Sequence, residues 1–201
     1  MHWPGDVFFG RFLLISLLVF YLWAAIKGWL LNRRGVRVND QTASIGLAGF
    51  LNRFVPTLRN YEIVACAWPL KWHLFPALLR TPLLDFLPLK IFGAILWLIA
   101  LSLYAWAQAS MGTAWRIGTS TDATLVTRGI FHWSRHPIYV GFLLMAWGTV
   151  GIYPQPSFIL LAVVSTGLLK HQITQEEKFL HRHFGAAYRD YCQRTSRYFT
   201  I

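Results

Sequence analysis

The sequence predicts an all-α integral membrane protein. It should have about five transmembrane helices, the last two forming a short hairpin, and a cytoplasmic amphipathic C-terminal helix. Three observations lead there. Of 201 residues, 55% are hydrophobic and only 13% charged, roughly half the ~25% charged residues of a soluble domain. The apolar residues gather into long runs instead of spreading through the chain. The formal net charge is +11, and the basic residues cluster in short loops beside those runs. There they orient spans and meet anionic headgroups, so the charge points to a membrane and not to nucleic acid.

The first run extends from about Phe12 to Leu31, carries no charge before Lys27, and ends at Asn32-Arg33-Arg34-Gly35. It is long enough to span, and no small-residue cleavage site follows it, so a retained helix is expected. The next loop, to about Asn60, holds Arg33, Arg34, Arg37, Arg53 and Arg59 against Asp40. This strongly basic loop is expected in the cytoplasm. Within it, Ile45, Leu47, Leu51, Phe54 and Val55 suit a short helix lying on the membrane. The second run, Tyr61 to Leu79, is the weak one, because it contains Pro69, Lys71, His73 and Pro76. Pro82 and Pro88 then bracket a short turn.

The third run, Ile91 to Ala109, is clean, and a polar loop from Ser110 to His136 follows. Pro137–Gly151 and Phe158–Leu169 give the fourth and fifth helices, joined through Tyr153-Pro154-Gln155-Pro156-Ser157. Both are shorter than the ~20 residues of a full span, which predicts a tilted or incompletely spanning hairpin. From Lys170 the tail is polar and amphipathic. Counting spans puts the N-terminus outside and the 110–136 loop and the tail in the cytoplasm. The tail's Lys170, Lys178, Arg182, Arg189, Arg194 and Arg197 agree. That parity requires the weak second run to span.

Cys66 lies in an apolar stretch and Cys192 in the polar tail, a separation that argues for free thiols and against a disulfide framework or a metal site. The loop segment Gly112-Thr113-Ala114-Trp115-Arg116-Ile117-Gly118 matches no nucleotide-binding glycine motif. The chain also lacks a βαβ pattern to hold one, which argues against a Rossmann-type cofactor site. Arg135-His136-Pro137-Ile138-Tyr139 is more informative. Pro137 suits the first turn of a helix, so Arg135 and His136 stand at its start and Tyr139 in its first turn. Read locally, these residues serve equally well as interfacial anchors. However, a cation at a helix N-terminus opposes the helix dipole, so Arg135 needs an anion. Glu176, Glu177 or a ligand carboxylate can supply it. Adjacent helical residues point ~100° apart, so the two glutamates cannot share one role. Leu180, Phe184, Ala187, Tyr188 and Tyr191 recur at helical spacing, as an amphipathic tail packed on the membrane requires. That stripe does not explain two carboxylates beside an anionic surface.

With these residues in view, the chain resembles the isoprenylcysteine carboxyl methyltransferase and phospholipid methyltransferase superfamily. The resemblance covers about Met111 to Arg194 and rests on the order of its elements. Leu125-Val126-Thr127-Arg128-Gly129-Ile130-Phe131 comes first, then Arg135-His136-Pro137-Ile138-Tyr139-Val140-Gly141 and an apolar hairpin. Glu176-Glu177 follows, then Phe184-Gly185 with Tyr188 and Tyr191, then Arg194. The resemblance implies S-adenosylmethionine as methyl donor, held without a Rossmann fold. It implies donor-binding roles for Leu125, Val126, Gly129, His136, Pro137, Tyr139, Glu176 and Tyr191, and catalytic roles for Arg135 and Glu177. Residues 110–201 would form the methyltransferase core with a C-terminal lid, and residues 1–109 the divergent acceptor-side helices. The acceptor would be a lipophilic or membrane-embedded molecule offering a carboxylate, phenol, amine or thiol. No obligate protein partner is implied. The ending Arg194-Thr195-Ser196-Arg197-Tyr198-Phe199-Thr200-Ile201 lacks the proline that often follows the last arginine in carboxyl methyltransferases of this type.

Two other functions compete. Membrane reductases that use NADPH and resemble steroid reductases carry a similar Arg-His-Pro segment. In them an asparagine usually precedes the tyrosine and a glutamate follows the glycine, where this chain has Ile138 and Phe142. A non-catalytic membrane protein is the other. A solute path would need ionisable residues deep in several spans, and only Lys71 and His73 in the weak second run stand as candidates.

Overall fold

The computed structural model describes residues 4–34, 47–67, 74–114 and 124–199. All regular structure in them is helical. Helix α1 spans Pro4–Arg33, α2 Leu47–Ala67, α3 Ala77–Arg80, α4 Leu87–Met111, α5 Pro137–Ile152, α6 Pro156–Phe184 and α7 Ala186–Arg194, with 3-10 turns at Gly112–Ala114 and Gly129–His132. Prolines open α4, α5 and α6 in their first turns, where a missing N–H costs no hydrogen bond. Gly112 (φ 56°) and Gly185 (φ 54°) end α4 and α6 in backbone conformations that favour glycine.

Three helices are long and apolar enough to cross a membrane, over Val7–Arg33, Leu87–Met111 and Pro156–Phe184, and Pro137–Ile152 is a shorter apolar helix. Their outward faces carry Ile15, Leu18, Leu22, Ile95, Leu98 and Val163, all exposed, as lipid-facing surfaces should be. The core between them includes Leu13, Leu17, Ile63, Trp97, Met145 and Phe158.

The most intimate contact is between α4 and α5, which lie antiparallel. Gly141 faces Ala100, and Gly148 and Gly151 face Gly93. A Cβ on Gly93 would stand 2.5 Å from the Gly148 carbonyl oxygen, so small residues let these backbones approach, as is common between membrane helices. Trp97 fixes the pair with a buried hydrogen bond from Nε1 to Thr149 Oγ1 at 3.1 Å.

Three sequence expectations change. The surface helix and weak second span are not separate elements; the described residues form one 21-residue helix, α2, that begins at Leu47 and includes Arg59, Glu62 and Pro56. Its charged residues keep it out of the set long and apolar enough to span; among the described residues that set is three helices, beside the shorter α5, where five spans were expected, and residues 68–73 of the second run lie outside the described residues. Glu62 is fully buried and accepts the Leu74 backbone N–H at 3.1 Å. Lys71 and His73 lie outside the described residues, as do Arg37, Asp40, Ile45 and the loop stretch 115–123. The fifth helix is also not short. Helix α6 runs 29 residues without a break, so Glu176 and Glu177 lie within it and not beyond its end. The separate amphipathic C-terminal element is the nine-residue α7.

Candidate active site

The site forms where the start of α5, the last turns of α6 and the segment after α7 converge. The 3-10 turn Gly129–His132 delivers the chain to α5. Gly129 has φ 64°, and a Cβ there would stand 2.2 Å from Ser110 Oγ, so only glycine fits. Ser110 Oγ accepts the Ile130 N–H at 3.3 Å, and Val126, Ile130 and Phe131 pack with Ala107. Buried Ser134 then accepts the His136 N–H at 3.2 Å and donates to the Arg197 carbonyl at 3.3 Å. Arg135 and His136 therefore leave the turn in fixed directions.

Both reach Glu177, which is 7% exposed. Arg135 donates from Nε at 3.3 Å and from Nη2 at 3.0 Å to Glu177 Oε1. His136 Nε2 lies 3.2 Å from the same oxygen. Arg197, from the segment after α7, donates from Nε to Oε1 at 3.2 Å and from Nη2 to Oε2. Arg135 also ties that segment down, donating from Nη1 to the Thr195 and Cys192 carbonyls at 2.7 and 3.3 Å. Its backbone N–H bonds the Ser196 carbonyl at 3.0 Å. Arg135 thus has the anion that its position at a helix start demanded.

Burial lowers the proton affinity of His136 below its ordinary value, against the opposing pull of Glu176 and Glu177. A neutral imidazole that meets an ionised carboxylate must present its N–H, so the Nε2-protonated tautomer follows. Two guanidiniums and one imidazole N–H on Glu177 make it an oriented, charge-compensated anchor.

Glu176, one residue earlier, points elsewhere, as the ~100° helical step requires. Its side chain couples to the Tyr139 hydroxyl, which also couples to Gln172. Glu176 Oε2 is buried with no hydrogen-bond partner. The Tyr139 ring sits 5.7 Å from the His136 ring. The two glutamates therefore mark two sides of one site, Glu177 locked to cations and Glu176 with an open acceptor.

Other residues singled out in the sequence serve the frame. Pro137 is buried in the first turn of α5. Tyr191 donates to the Phe131 carbonyl at 2.6 Å, and burial pushes its hydroxyl up to about 12, which keeps the proton on that bond. Leu125 and Val126 are half-buried beside the turn. Arg194 is exposed and donates back to the Asp190 carbonyl at 3.2 Å, so Arg197 and not Arg194 meets the site. Sequence reasoning missed Arg197, Ser134 and Thr195. The only signal for Arg197 was a second arginine three residues after the first.

Residues 93–182 match the model of the isoprenylcysteine carboxyl methyltransferase family. The chain is 28% identical over 137 residues to a probable protein-S-isoprenylcysteine O-methyltransferase of Oryza sativa subsp. indica, covering 66% of this chain and 72% of that protein. It is 41% identical over 71 residues to protein-S-isoprenylcysteine O-methyltransferase B of Arabidopsis thaliana, covering 35% and 36%. With the Saccharomyces cerevisiae protein-S-isoprenylcysteine O-methyltransferase it shares 38% identity over 72 residues, covering 35% and 30%. The matched stretch carries α5, most of α6, and Arg135, His136 and Glu177, but not Arg197. The chain is similar to the isoprenylcysteine carboxyl methyltransferase family over residues 93–182, and these relatives support an integral membrane methyltransferase.

Proposed function

We propose that this methyltransferase transfers a methyl group from S-adenosylmethionine to the carboxylate of a lipophilic, isoprenylcysteine-like acceptor. The donor would lie against Glu176, Tyr139, His136, Pro137, Tyr191 and the Leu125, Val126 and Gly129 backbone, with Arg135 and Glu177 beside the reacting atoms. The observation that carries the reading is the pairing of a cation-locked Glu177 with Glu176, whose Oε2 is buried without a partner.

These residues fit the donor. S-adenosylmethionine, when bound, supplies a methyl group on a positive sulfonium that leaves as a neutral thioether. The open Glu176 oxygen is the kind of group a buried cation requires. Arg135 offers a guanidinium to a carboxylate, and Glu177 holds it in place at 3.0 Å. An acceptor carboxylate already carries the attacking lone pair, so His136 need remove no proton. The protein's contribution is then alignment and exclusion of water. Holding two reactants in line accounts for much of the rate of such a displacement. Thr195 Oγ1 donates to the His132 carbonyl, and the Arg197 and Ser196 carbonyls accept from Ser134 Oγ and the Arg135 N–H, ties that suit a terminal lid.

Basic clustering after α1 and in the tail supports a cytoplasmic site, and an N-terminus outside then requires one further crossing between α1 and α4. The relatives' names support an isoprenylcysteine acceptor, and residues 1–109 would shape its binding. The test uses purified protein in detergent, methyl-labelled donor and an S-isoprenylated cysteine with a free carboxylate. The expected product is a base-labile methyl ester. Label in a base-stable thioether, ether or amine would move the acceptor chemistry elsewhere.

A further inference from the structure

One buried cation takes no part in the site above. Helix α2 turns an apolar stripe inward, and Val55 and Ile63 of that stripe are buried in the core. Arg59 stands midway between them, four residues from each and on the same helical face, and is only 9% exposed. That position calls for an apolar side chain. A guanidinium stays protonated in proteins, so the stripe carries a full positive charge. Among the described residues no carboxylate lies within ion-pair distance of it. Glu62, one turn on, instead accepts the Leu74 backbone N–H at 3.1 Å. An ionisable side chain inside a membrane bundle is costly unless paired, and by default it marks a ligand site.

The hydrogen bonds around Arg59 leave two donors open. Its Nε and Nη2 donate to Asn60 Oδ1 at 3.3 and 3.1 Å. Nη1 has no acceptor among the described residues, and it is not one of the polar atoms sealed from solvent. Asn60 Nδ2 donates in turn to the Tyr21 hydroxyl of α1. That bond uses the hydroxyl oxygen as acceptor, and the hydroxyl's own proton has no acceptor among the described residues. Tyr21 lies close enough for its charge to bear on Arg59. It is 51% exposed, on a helix long and apolar enough to span. The series Arg59, Asn60, Tyr21 therefore runs from the core to a lipid-facing surface. That surface is apolar. Leu18 lies one turn before Tyr21 on α1 and Val64 one turn after Asn60 on α2, both exposed. The opening faces acyl chains and not bulk water.

We infer that Arg59 and Tyr21 form a binding site, at the seam between α1 and α2, for the phosphate of an anionic membrane phospholipid. One phosphate oxygen accepts from Arg59 Nη1 and another from the Tyr21 hydroxyl, while the acyl chains lie along Leu18 and Val64. Two requirements select this ligand. Two open donors and one unneutralised charge call for an anion with at least two acceptor oxygens. An opening on an apolar surface calls for an apolar body. A phosphodiester lipid without a cation of its own meets both. A purely structural role, tying α2 to α1 through Asn60, accounts for Nε and Nη2 but not for Nη1 or the charge. The site uses no residue of the proposed donor site and does not rest on the proposed function.

The test measures lipid binding to the purified protein in detergent, by native mass spectrometry and thermal shift. The probes are phosphatidylglycerol, phosphatidylcholine and inorganic phosphate, applied to wild type, Arg59→Gln, Tyr21→Phe and Arg34→Gln. Wild type should retain one phosphatidylglycerol about tenfold more tightly than phosphatidylcholine, whose choline already neutralises its phosphate. Arg59→Gln should remove that preference, as loss of a charge-assisted bond predicts, and Tyr21→Phe should weaken it about threefold or more. Arg34 is an exposed cation just past α1, and Arg34→Gln should leave the preference unchanged. If Arg59→Gln yields no folded protein, Tyr21→Phe, which deletes only an exposed hydroxyl, decides. Equal binding of the two lipids by wild type overturns the inference. So does a preference that survives both Arg59→Gln and Tyr21→Phe, or one that Arg34→Gln reduces as much as Arg59→Gln does, because diffuse surface charge then accounts for it. Stabilisation by inorganic phosphate equal to that by phosphatidylglycerol overturns the lipid assignment.

Discussion

Glu177→Gln isolates the ion cluster from the rest of the site. The substitution keeps shape and one acceptor oxygen but removes the charge that compensates Arg135. The Arg135 side chain is 12% exposed and that of Glu177 9%. Removing one member of so buried a pair costs about 3–5 kcal/mol. The Thr195 and Cys192 carbonyls stay on Arg135, and the new amide oxygen still accepts, so the lower figure of about 3 kcal/mol applies. Arg197 differs. Its side chain is 45% exposed, and losing a solvent-screened pair costs at most about 1 kcal/mol. For a chain of this size about 2–4 °C of Tm accompanies each kcal/mol, so Glu177→Gln should lower Tm by roughly 6–12 °C and Arg197→Ala by about 4 °C or less. Thermal unfolding in one detergent, followed by intrinsic tryptophan fluorescence, measures both. Equal shifts for the two variants, or no shift for Glu177→Gln, would refute the reasoning that the buried Arg135–Glu177 pair anchors the site.

Three further outcomes follow from the same geometry. Burial holds His136 below its ordinary value of 6.5, so the unfolded chain binds more protons. The His136 contribution to stability is full above about pH 6.5 and is lost as pH falls through the lower folded value. A Tm–pH profile should show a decline beginning below pH 6.5 that His136→Gln removes; an identical profile in the variant contradicts this. Gly93→Ala places a Cβ 2.5 Å from the Gly148 carbonyl oxygen and 2.8 Å from the Ile152 nitrogen. Both are backbone atoms that cannot swing away, so a loss of roughly 1–3 kcal/mol or more is expected, read as lower Tm and a smaller monodisperse fraction in size-exclusion chromatography. Tyr191→Phe deletes the 2.6 Å bond to the Phe131 carbonyl. It should cost about 1–3 kcal/mol of unfolding free energy, because a buried acceptor loses its donor.

Much of the site was legible because proline and charge leave local marks. Pro137 placed Arg135 and His136 at a helix start, and the dipole argument then required an anion, which Glu177 supplies. Helix α6 was misjudged because hydropathy falls at Lys170 while the helix does not end. Lys, Gln and Glu are good helix formers, and the next residue favouring a stop is Gly185. Helix α2 was split for the converse reason. Polar residues in its middle, from Asn52 to Glu62, break the apolar run, yet one continuous helix passes through them and Pro56. Whether Arg194 or Arg197 turns inward depends on where α7 ends, at Arg194, a boundary that neighbouring residues do not fix. Arg59 read as one cation of a basic loop; the helix that its neighbour Asn60 meets is α1, 39 residues away in sequence, and no local pattern encodes such a contact.

The central claim is that the residues around Glu176 and Glu177 hold an S-adenosylmethionine-type donor. Its most direct test is a thermal-shift titration of the purified protein with S-adenosylhomocysteine and NADPH in parallel, repeated on Glu177→Gln. The account predicts stabilisation by S-adenosylhomocysteine alone, saturating as a ligand specific for the folded state must, and its loss in Glu177→Gln. Saturable stabilisation by NADPH with none by S-adenosylhomocysteine would contradict it.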